Sequence, residues 1–400
     1  MRIAEAVAAM GEGALSEDGL RRHVFPLFSE TLKRPGIYLA NHSLGRPLDQ
    51  TKEDLREGFE EWQVRLGDAW DAWMEEEQAH RSRLARLIGA KRVDCVVPKT
   101  SAGQGLRTVL NALPGVPLVI STKGEFDSVD VILKQYAAMG RIRLEVVGCE
   151  GADGVDLSAL MERIRDGVDL VVISQVMFMT GLVVPSLDLV GNRCHEVGSR
   201  LLVDAYHSVG VFPVDAGAMQ CDFMIGGSYK YLRGGPGAAF LYVSPDALSS
   251  GLRPVDIGWF AKEKPFRYER PDPPRFAPGG DALLESTPPV LTYYQARAGQ
   301  MMALELGVAR IREYNLDRLG RLKRYLAEYG IETMGADSGH GGFLTIENAE
   351  ASGLVEALEK RGVTADARGK WLRLSPDYLT LDEALRKAAV AVAAVVGNSL

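Results

Sequence analysis

A single lysine stands between two apolar runs that are typical of buried strands. Lys230 lies in the segment GGSYKYLRGGPG (226–237), which follows the apolar run Phe223–Ile225 and precedes the run Ala238–Val243. Burying a charged amine is costly, so a lysine in such surroundings is uncommon. Desolvation favours the neutral amine, which can attack an aldehyde or act as a base. The position therefore predicts a chemically active lysine, with a turn lysine on the surface as the less favoured alternative.

An acid after another apolar run predicts a partner for this lysine. Asp204 ends the run Leu201–Val203, and His207 comes three residues later. An acid at the end of one buried strand and a lysine beyond another can hold pyridoxal phosphate, whose aldehyde bonds to the amine while its ring nitrogen pairs with the acid. We therefore predict that Lys230 and Asp204 bind this cofactor. His207 is predicted to hydrogen-bond the cofactor or Asp204, with a purely structural role as the alternative.

The segment PKTSAGQGLRTVL (98–110) predicts a phosphate site. It follows a strand-like run and opens a helical pattern, so that Thr100 and Ser101 offer hydroxyls while Ala102 and Gly103 offer backbone N–H groups at a helix N-terminus. The same residue types cap ordinary helices, and this alternative stays open. Neither GxGxxG after a first strand nor GxxxxGK[ST] occurs, which disfavours dinucleotide and nucleoside-triphosphate binding.

Two more residues have types that suit this chemistry. Phe126 follows the run Leu118–Ser121 and can lie flat on a pyridine ring or, equally well, pack in the core. Arg373 lies on a predicted short strand, where its guanidinium can bind an amino acid's α-carboxylate in a bidentate way. A surface arginine is the alternative.

The elements that must position these residues read as an α/β fold. Between residues 93 and 243, seven continuous apolar runs alternate with helical patterns, which predicts a mostly parallel seven-stranded sheet covered on both faces. Ligands of such sheets lie beyond the carboxyl ends of the strands, where the acid and the lysine fall. We expect an N-terminal arm (1–50), a large domain (51–290) and a small α+β domain (291–400). Residues 51–90 read as one helix with an aromatic stripe, and the proline-rich 262–290 as an ordered or dimer-reaching loop or a flexible linker.

Composition excludes several classes of protein. The 400-residue chain has a net charge of −7 and no long basic run, which makes a nucleic-acid surface unlikely. The four cysteines are far apart and form no CxxC pair, so neither a metal site nor a disulfide framework is expected. No convincing signal peptide and no membrane-length apolar run occur, and we expect a soluble cytoplasmic protein.

Taken together, these segments resemble the class V aminotransferase group of fold-type I pyridoxal-phosphate enzymes, and kynureninases most of all. The matching segments span residues 37–380 in order and are IYLANHSLGR, PKTSAGQGL, GEF, VMFMTG, LLVDAYHSVGVFPVDAG, CDFMIGGSYKYLRGGPGAAFLYV, IGWF, STPPVL and WLRLSPDYLT. The IGWF segment and Tyr229 favour the kynureninase branch over the desulfurases. The resemblance implies a homodimer with shared active sites and a small amino-acid substrate.

The resemblance also assigns roles residue by residue. It implies the roles given above for Lys230, Asp204, His207 and Phe126. Phosphate-binding positions are matched by Ser101, Ala102 and Tyr229, and residues that reach the phosphate from the partner subunit are matched by Trp259, Ser286 and Thr287. The arginine that binds the substrate carboxylate is matched by Arg373. Tyr229 is also expected to assist proton transfer, and His42 and Ser43 to contact the substrate. Two positions depart from the kynureninase pattern: His42 replaces the usual asparagine, and Val129, followed by Asp130, replaces the usual acid.

The activity implied by the resemblance is hydrolytic Cβ–Cγ cleavage of kynurenine to anthranilate and alanine. Transamination, β-elimination or desulfuration, and epimerisation of another amino acid are alternatives on the same cofactor, because a fold hosts many reactions. A non-catalytic scaffold is a third possibility. The joint presence of Lys230, Asp204 and Arg373 argues against it.

Overall fold

The computed structural model describes residues 2–149 and 155–397. Met1 and 398–400, at the ends of the expected domains, lie outside the described residues. The strands are β1 (Ile37–Tyr38), β2 (Val96–Lys99), β3 (Leu118–Thr122), β4 (Arg143–Val147), β5 (Leu170–Ser174), β6 (Arg200–Asp204), β7 (Phe223–Gly227), β8 (Ala239–Val243), β9 (Leu344–Glu347), β10 (Val363–Thr364), β11 (Asp366–Arg368) and β12 (Trp371–Leu374). The helices are α1 (Ile3–Ala8), α2 (Glu17–Gly19), α3 (Ser29–Leu32), α4 (Gln50–Arg65), α5 (Ala69–Leu87), α6 (Ala102–Ala112), α7 (Asp127–Ala138), α8 (Leu157–Arg163), α9 (Leu187–Glu196), α10 (Pro245–Ser249), α11 (Leu291–Leu306), α12 (Val308–Ala327), α13 (Ala351–Glu359) and α14 (Asp382–Val396).

The large domain is built on a seven-stranded sheet in the order β2-β8-β7-β6-β5-β3-β4. Only β8 runs antiparallel to its neighbours, so the predicted mostly parallel sheet is confirmed. Strands β5, β7 and β8 are buried at every position because separate apolar cores cover the two faces of the sheet. The carboxyl ends of β2, β3, β5, β6 and β7 therefore meet at one edge.

The predicted single helix over residues 51–90 is two helices. A short 3₁₀ turn at Leu66–Asp68 separates α4 from α5, and Leu66 has a φ of 49°. A left-handed residue cannot continue an α-helix, so the chain changes direction there. The aromatic stripe is partly uncovered, with Phe59 and Trp62 42% and 52% exposed.

The small domain packs an antiparallel sheet, β11-β12-β9, against helices α12, α13 and α14 around its own apolar core. The N-terminal arm joins it because β1 pairs in parallel with β10. Helix α11, by contrast, packs on α4 and α5 of the large domain. Gly307, with a φ of 80°, separates α11 from α12. We propose this glycine as the domain boundary in place of the expected boundary at residue 290.

The proline-rich segment 262–290 folds as an ordered loop. Its chain returns on itself, with the backbone N–H of Glu263 donating to Arg275 and that of Ala277 donating to Ala261. A 3₁₀ turn at Gly279–Leu283 then leads toward α11. Across the described residues, every helix is too short or too polar to cross a membrane.

Candidate active site

Lys230 lies three residues beyond the end of β7, in the irregular chain between β7 and β8. It is 5% exposed, and its Nζ is 2.8 Å from Nε2 of His207. Burial lowers the pKa of the amine to about 7; the Asp204 carboxylate opposes this shift and the Arg373 cation adds to it. Near neutral pH the amine is therefore partly neutral, as a nucleophile or base must be.

Aromatic rings surround this amine. The Nζ atom of Lys230 lies 5.5 Å from the ring centroids of Phe126 and Tyr206 and 5.7 Å from that of Tyr229. Phe126 in turn meets Phe178 edge to face, with centroids 5.4 Å apart. Aromatic faces attract a cation but accept no proton from it. The rings therefore enclose the amine and leave its nitrogen available for covalent chemistry.

Asp204 ends β6, next to β7, and is 5% exposed. Burial raises the pKa of its carboxyl group, against the opposing effects of the backbone N–H of Tyr206, which donates at 2.9 Å, and of Lys230. His207 follows in the same turn. Burial and the nearby cations hold the pKa of His207 well below its usual value, so the imidazole is neutral, and its Nδ1 has no hydrogen-bond partner.

These side chains border one cavity of about 640 Å³ at the carboxyl edge of the sheet. The cavity runs from the N-terminus of α6 to the lysine. The predicted site residues that line it are Thr100, Ser101, Ala102, Phe126, Asp204, His207, Tyr229 and Lys230. Four strand ends, of β2, β3, β6 and β7, thus deliver eight predicted residues to one place.

The N-terminus of α6 shows that capping and ligand binding use the same residues. Ser101 caps the helix by accepting from the backbone N–H of Gln104 at 3.1 Å. The backbone N–H and the hydroxyl of Thr100 both donate to Oε1 of Gln104, at 2.6 and 3.0 Å. The capping alternative is thus observed. The Ser101 hydroxyl accepts in this hydrogen bond, so its own proton stays available to an anion in the cavity.

Trp259, Ser286 and Thr287 are not among the cavity-lining residues. Trp259 belongs to an aromatic cluster with Trp70, Phe260, Phe266 and Tyr268. Ser286 and Thr287 are exposed beside it. Within one chain these residues do not line the cavity of Lys230. Their role in the site of a partner subunit stays a prediction.

His42, Ser43 and Arg373 lie next to the cavity without lining it. The His42 ring stacks 6.3 Å from that of His207, and Ser43 is half-buried in the same loop. The Arg373 guanidinium donates to the carbonyl of Phe178, a cavity-lining residue. Val129, the second departure, is fully buried in the core, and the neighbouring Asp130 pairs with Lys134 on the surface. The acid of this segment that lines the cavity is Asp127, directly after Phe126.

The sequence reasoning missed several residues near the site. Tyr206 and Phe178 line the cavity, and Asp366 binds Arg373. Glu125 is buried between the hydroxyls of Thr122 and Ser174, which donate to it at 2.7 and 2.6 Å, and burial raises its pKa to about 7. Only the position of Glu125, Tyr206 and Phe178 shortly after strands was a usable signal.

The residues present fit pyridoxal phosphate. Among the described residues, no carboxylate is hydrogen-bonded to the buried amine of Lys230, and the buried Asp204 faces the same cavity. Phe126 offers a ring face, and the first turn of α6 offers N–H donors for a phosphate. An aldehyde, a ring nitrogen, a flat ring and a phosphate each find a suitable group here.

Comparison with known protein families gives a match over most of the chain. The family described as aminotransferase class-V matches residues 64–382. An uncharacterized aminotransferase of Bacillus subtilis is 28% identical, over 88% of this chain and 91% of its own. The kynureninases of Pseudomonas fluorescens and Deinococcus radiodurans are 27% and 29% identical, over 87% and 86% of this chain and 86% and 84% of theirs.

Solved structures share the fold at lower identity. A cysteine desulfurase from Thermococcus onnurineus superposes with a TM-score of 0.81 at 19% identity, covering 96% of this chain and 99% of the other. One from Escherichia coli gives 0.82 at 17% identity, covering 97% and 100%. These likenesses concern the fold alone.

Proposed function

This chain belongs to the class V aminotransferase family and is a pyridoxal-phosphate-dependent enzyme, and we propose that it hydrolyses the Cβ–Cγ bond of kynurenine, giving anthranilate and alanine. The observation that carries the proposal is the buried Lys230 amine, which shares its cavity with Asp204 and is enclosed by aromatic rings. The similarity to kynureninases over most of both chains supports this choice of reaction.

Four parts of the cavity would hold the cofactor. Lys230 would bind its aldehyde, Asp204 its ring nitrogen and Phe126 its ring face, while the N-terminus of α6 near Ser101 would hold its phosphate. When bound, the cofactor supplies an electron-withdrawing ring that stabilises negative charge on the substrate carbons. An ionised Asp204 keeps a proton on the ring nitrogen and so maintains this withdrawal.

Lys230 carries the proton of the substrate's α-carbon. With cofactor and substrate bound, the amine of Lys230, whose pKa is lowered to about 7, would be suited to take a proton from that carbon and return it. The neutral His207, 2.8 Å away, can exchange a proton with it. Burial raises the pKa of Tyr229, so its phenol stays protonated and can donate to the substrate's γ-carbonyl oxygen.

We further propose that the enzyme is a homodimer whose subunits share active sites. Trp259, Ser286 and Thr287 would then complete the partner's phosphate site, and the exposed Phe59 and Trp62 would be covered by the interface. Mixing Lys230→Ala subunits with Trp259→Ala subunits tests this. Shared sites would give hybrid dimers with one intact site and activity that neither variant shows alone, whereas sites confined to one subunit would give no recovery.

Transamination of another amino acid is the second candidate, because one relative is named an aminotransferase. Sulfur transfer through a protein cysteine is less favoured. Such a thiol must be accessible and have a low pKa, whereas burial raises the pKa of all four cysteine thiols here.

Incubation of the purified holoenzyme with kynurenine separates these reactions. We expect anthranilate and alanine in equal amounts. The Lys230→Ala variant should form no product, whereas the control Lys134→Ala, at an exposed lysine, should form as much product as the wild type. Formation of a keto acid from another amino acid, with no anthranilate from kynurenine, would instead establish transamination.

A further inference from the structure

Three residues form a hydrogen-bonded unit beside the cavity, which we call the arginine unit: the buried His42 and Arg373 and the half-buried Asp366. Nε and Nη2 of Arg373 donate to the two carboxylate oxygens of Asp366, each at 2.7 Å. Nε2 of His42 lies 2.8 Å from Oδ1 of the same carboxylate. The side chains of His42 and Arg373 are 0% and 2% exposed. His42 and Arg373 thus both bind the Asp366 carboxylate, and this carboxylate in turn fixes the position of the Arg373 guanidinium.

The backbone fixes this arrangement before the side chains meet. Asp366 and Arg373 are direct partners in the antiparallel β11–β12 pair, so their side chains lie on the same face. The loop that carries His42 is tied to the same region, because the backbone N–H of Ser375 donates to Leu39 and the Asn41 side chain donates to Ser375. Asp366 has a short side chain and little room to leave its arginine.

A count of donors shows what Arg373 still offers. A guanidinium has five N–H groups. Two bind Asp366 and one on Nη1 binds the Phe178 carbonyl, which leaves one N–H on Nη1 and one on Nη2. A carboxylate accepts such a pair of donors well. The bidentate grip of Asp366 fixes the plane of the guanidinium, and with it the direction of the remaining donors.

Several contacts connect the arginine unit to the reacting groups. Phe178, which accepts from Arg373, lines the cavity and packs on Phe126. The charges of Arg373 and Asp366 both act on the pKa of Lys230. The pKa of His42 is lowered to about 4, chiefly by burial, so the ring is neutral and its Nε2–H can donate to Asp366.

We propose that Asp366 and His42 are positioning residues that orient Arg373 to receive the α-carboxylate of an amino-acid substrate. This rests on the proposed role of Arg373 in substrate binding. It does not depend on which amino acid is cleaved. Position 42 is an asparagine in the usual kynureninase pattern and a histidine here, and this histidine makes the contact with Asp366.

The test compares two probes that differ by one carboxylate. L-alanine and ethylamine are titrated into the holoenzyme, and binding is followed through the cofactor's visible absorbance. We expect wild type to prefer alanine, and Asp366→Asn to weaken alanine binding about 10- to 100-fold, because one charge-assisted bidentate contact no longer orients Arg373, with ethylamine binding unchanged. Asp366→Asn should add nothing in an Arg373→Lys background.

Asp382→Asn is the matched control, since Asp382 also pairs with arginines in the small domain but lies away from the cavity. It should leave the alanine preference intact. Equal loss of alanine and ethylamine binding in Asp366→Asn would show a general structural defect and overturn the proposal. Tighter alanine binding would overturn it as well, because Asp366 would then compete with the substrate for Arg373.

His42 provides a second test if Asp366→Asn folds poorly. His42→Gln keeps an N–H donor near the position of Nε2, whereas His42→Ala removes it. We expect the alanine preference to fall several-fold in His42→Ala and to recover in His42→Gln; equal values in both variants would contradict the role of His42. A wild type that does not prefer alanine to ethylamine refutes the inference, whereas an enzyme that prefers alanine but releases no anthranilate refutes only the proposed kynurenine cleavage.

Discussion

Two buried lysines lie at the same edge of the large sheet and differ in their partners. Lys99 ends β2 and is 4% exposed; its amine donates to the carbonyl of Leu283 at 3.0 Å and to the carboxylate of Glu285 at 3.3 Å. Lys230 is 5% exposed, and within the part of the chain that the structure describes its amine has only the neutral His207 at hydrogen-bond distance. Burial lowers the pKa of both amines, and Glu285 opposes this shift at Lys99. A buried amine with an ion-pair partner is structural, and one without is available to a ligand.

The largest effect should separate the two lysines by covalent attachment. Borohydride reduction of the holoenzyme should fix the cofactor on Lys230, and mass spectrometry of the peptides should find the added mass there. Lys230→Ala should lose this attachment and at least about 10³-fold in kcat, because both the nucleophile and the base are removed. Lys99→Met should keep the added mass on Lys230. Finding the added mass on Lys99 would show that Lys99, and not Lys230, is the reactive lysine.

A substitution of Asp204 should show how much a carboxylate contributes to kcat when it pairs with the cofactor's ring nitrogen rather than with the lysine. Asp204→Asn should keep the covalent attachment on Lys230 but lower kcat about 10²- to 10³-fold, because the ring nitrogen loses its charged partner. The measurement is steady-state kinetics alongside the borohydride assay. Unchanged kcat would mean that Asp204 acts structurally, as Glu285 does.

Stability should depend on pH through Lys230 in the cofactor-free protein. Its folded pKa is about 7, below the value of about 10.4 for an unfolded lysine. Between these values the unfolded chain binds more protons, so the free energy of unfolding should rise with pH, by at most about 1.4 kcal/mol per pH unit. Urea titrations from pH 7 to 10 should show this slope, and Lys230→Met should reduce it. An equal slope in both proteins would contradict the assignment.

The smallest effect concerns the partner of Lys99. Glu285→Gln removes the charge that opposes the desolvation of this lysine, and we expect a loss of about 1 to 3 kcal/mol in the free energy of unfolding. Because Glu285 is partly exposed, the cost should lie toward the low end. Denaturant unfolding measures it, and cofactor attachment to Lys230 should not change. A loss of attachment would show that the two lysines are linked.

Continuous apolar runs predicted the central strands of the sheet, because strands buried on both faces leave little room for polar residues, whereas the edge strand β4 is partly exposed and carries Arg143 and Glu145. Strand ends then brought Asp204, Lys230, Phe126 and Ser101 together as expected. These positions follow from local sequence, since Asp204 ends a strand and the other three lie shortly after one. The cofactor prediction is confirmed by the family match, and the cytoplasmic location stays a prediction.

The sequence could not predict features that depend on distant pairing. No sequence motif singles out Asp366, and only the pairing of β11 with β12 brings it to Arg373. The break at Leu66 was hidden by an unbroken helical pattern. Helix α11 fell within the expected small domain (291–400), yet it packs on α4 and α5. Each of these depends on contacts between residues far apart in sequence.

Gly45 connects the N-terminal arm to the segment between β7 and β8 that carries Lys230. The backbone N–H of Gly45 donates to the carbonyl of Tyr229 at 2.8 Å, and a Cβ atom at position 45 would come within 2.0 Å of the carbonyl oxygen of Lys230. The same arm is also bound to the small domain, because β1 pairs with β10. The arm therefore connects the small domain directly to the backbone of Tyr229 and Lys230, so that a movement of the small domain would also displace the reactive amine.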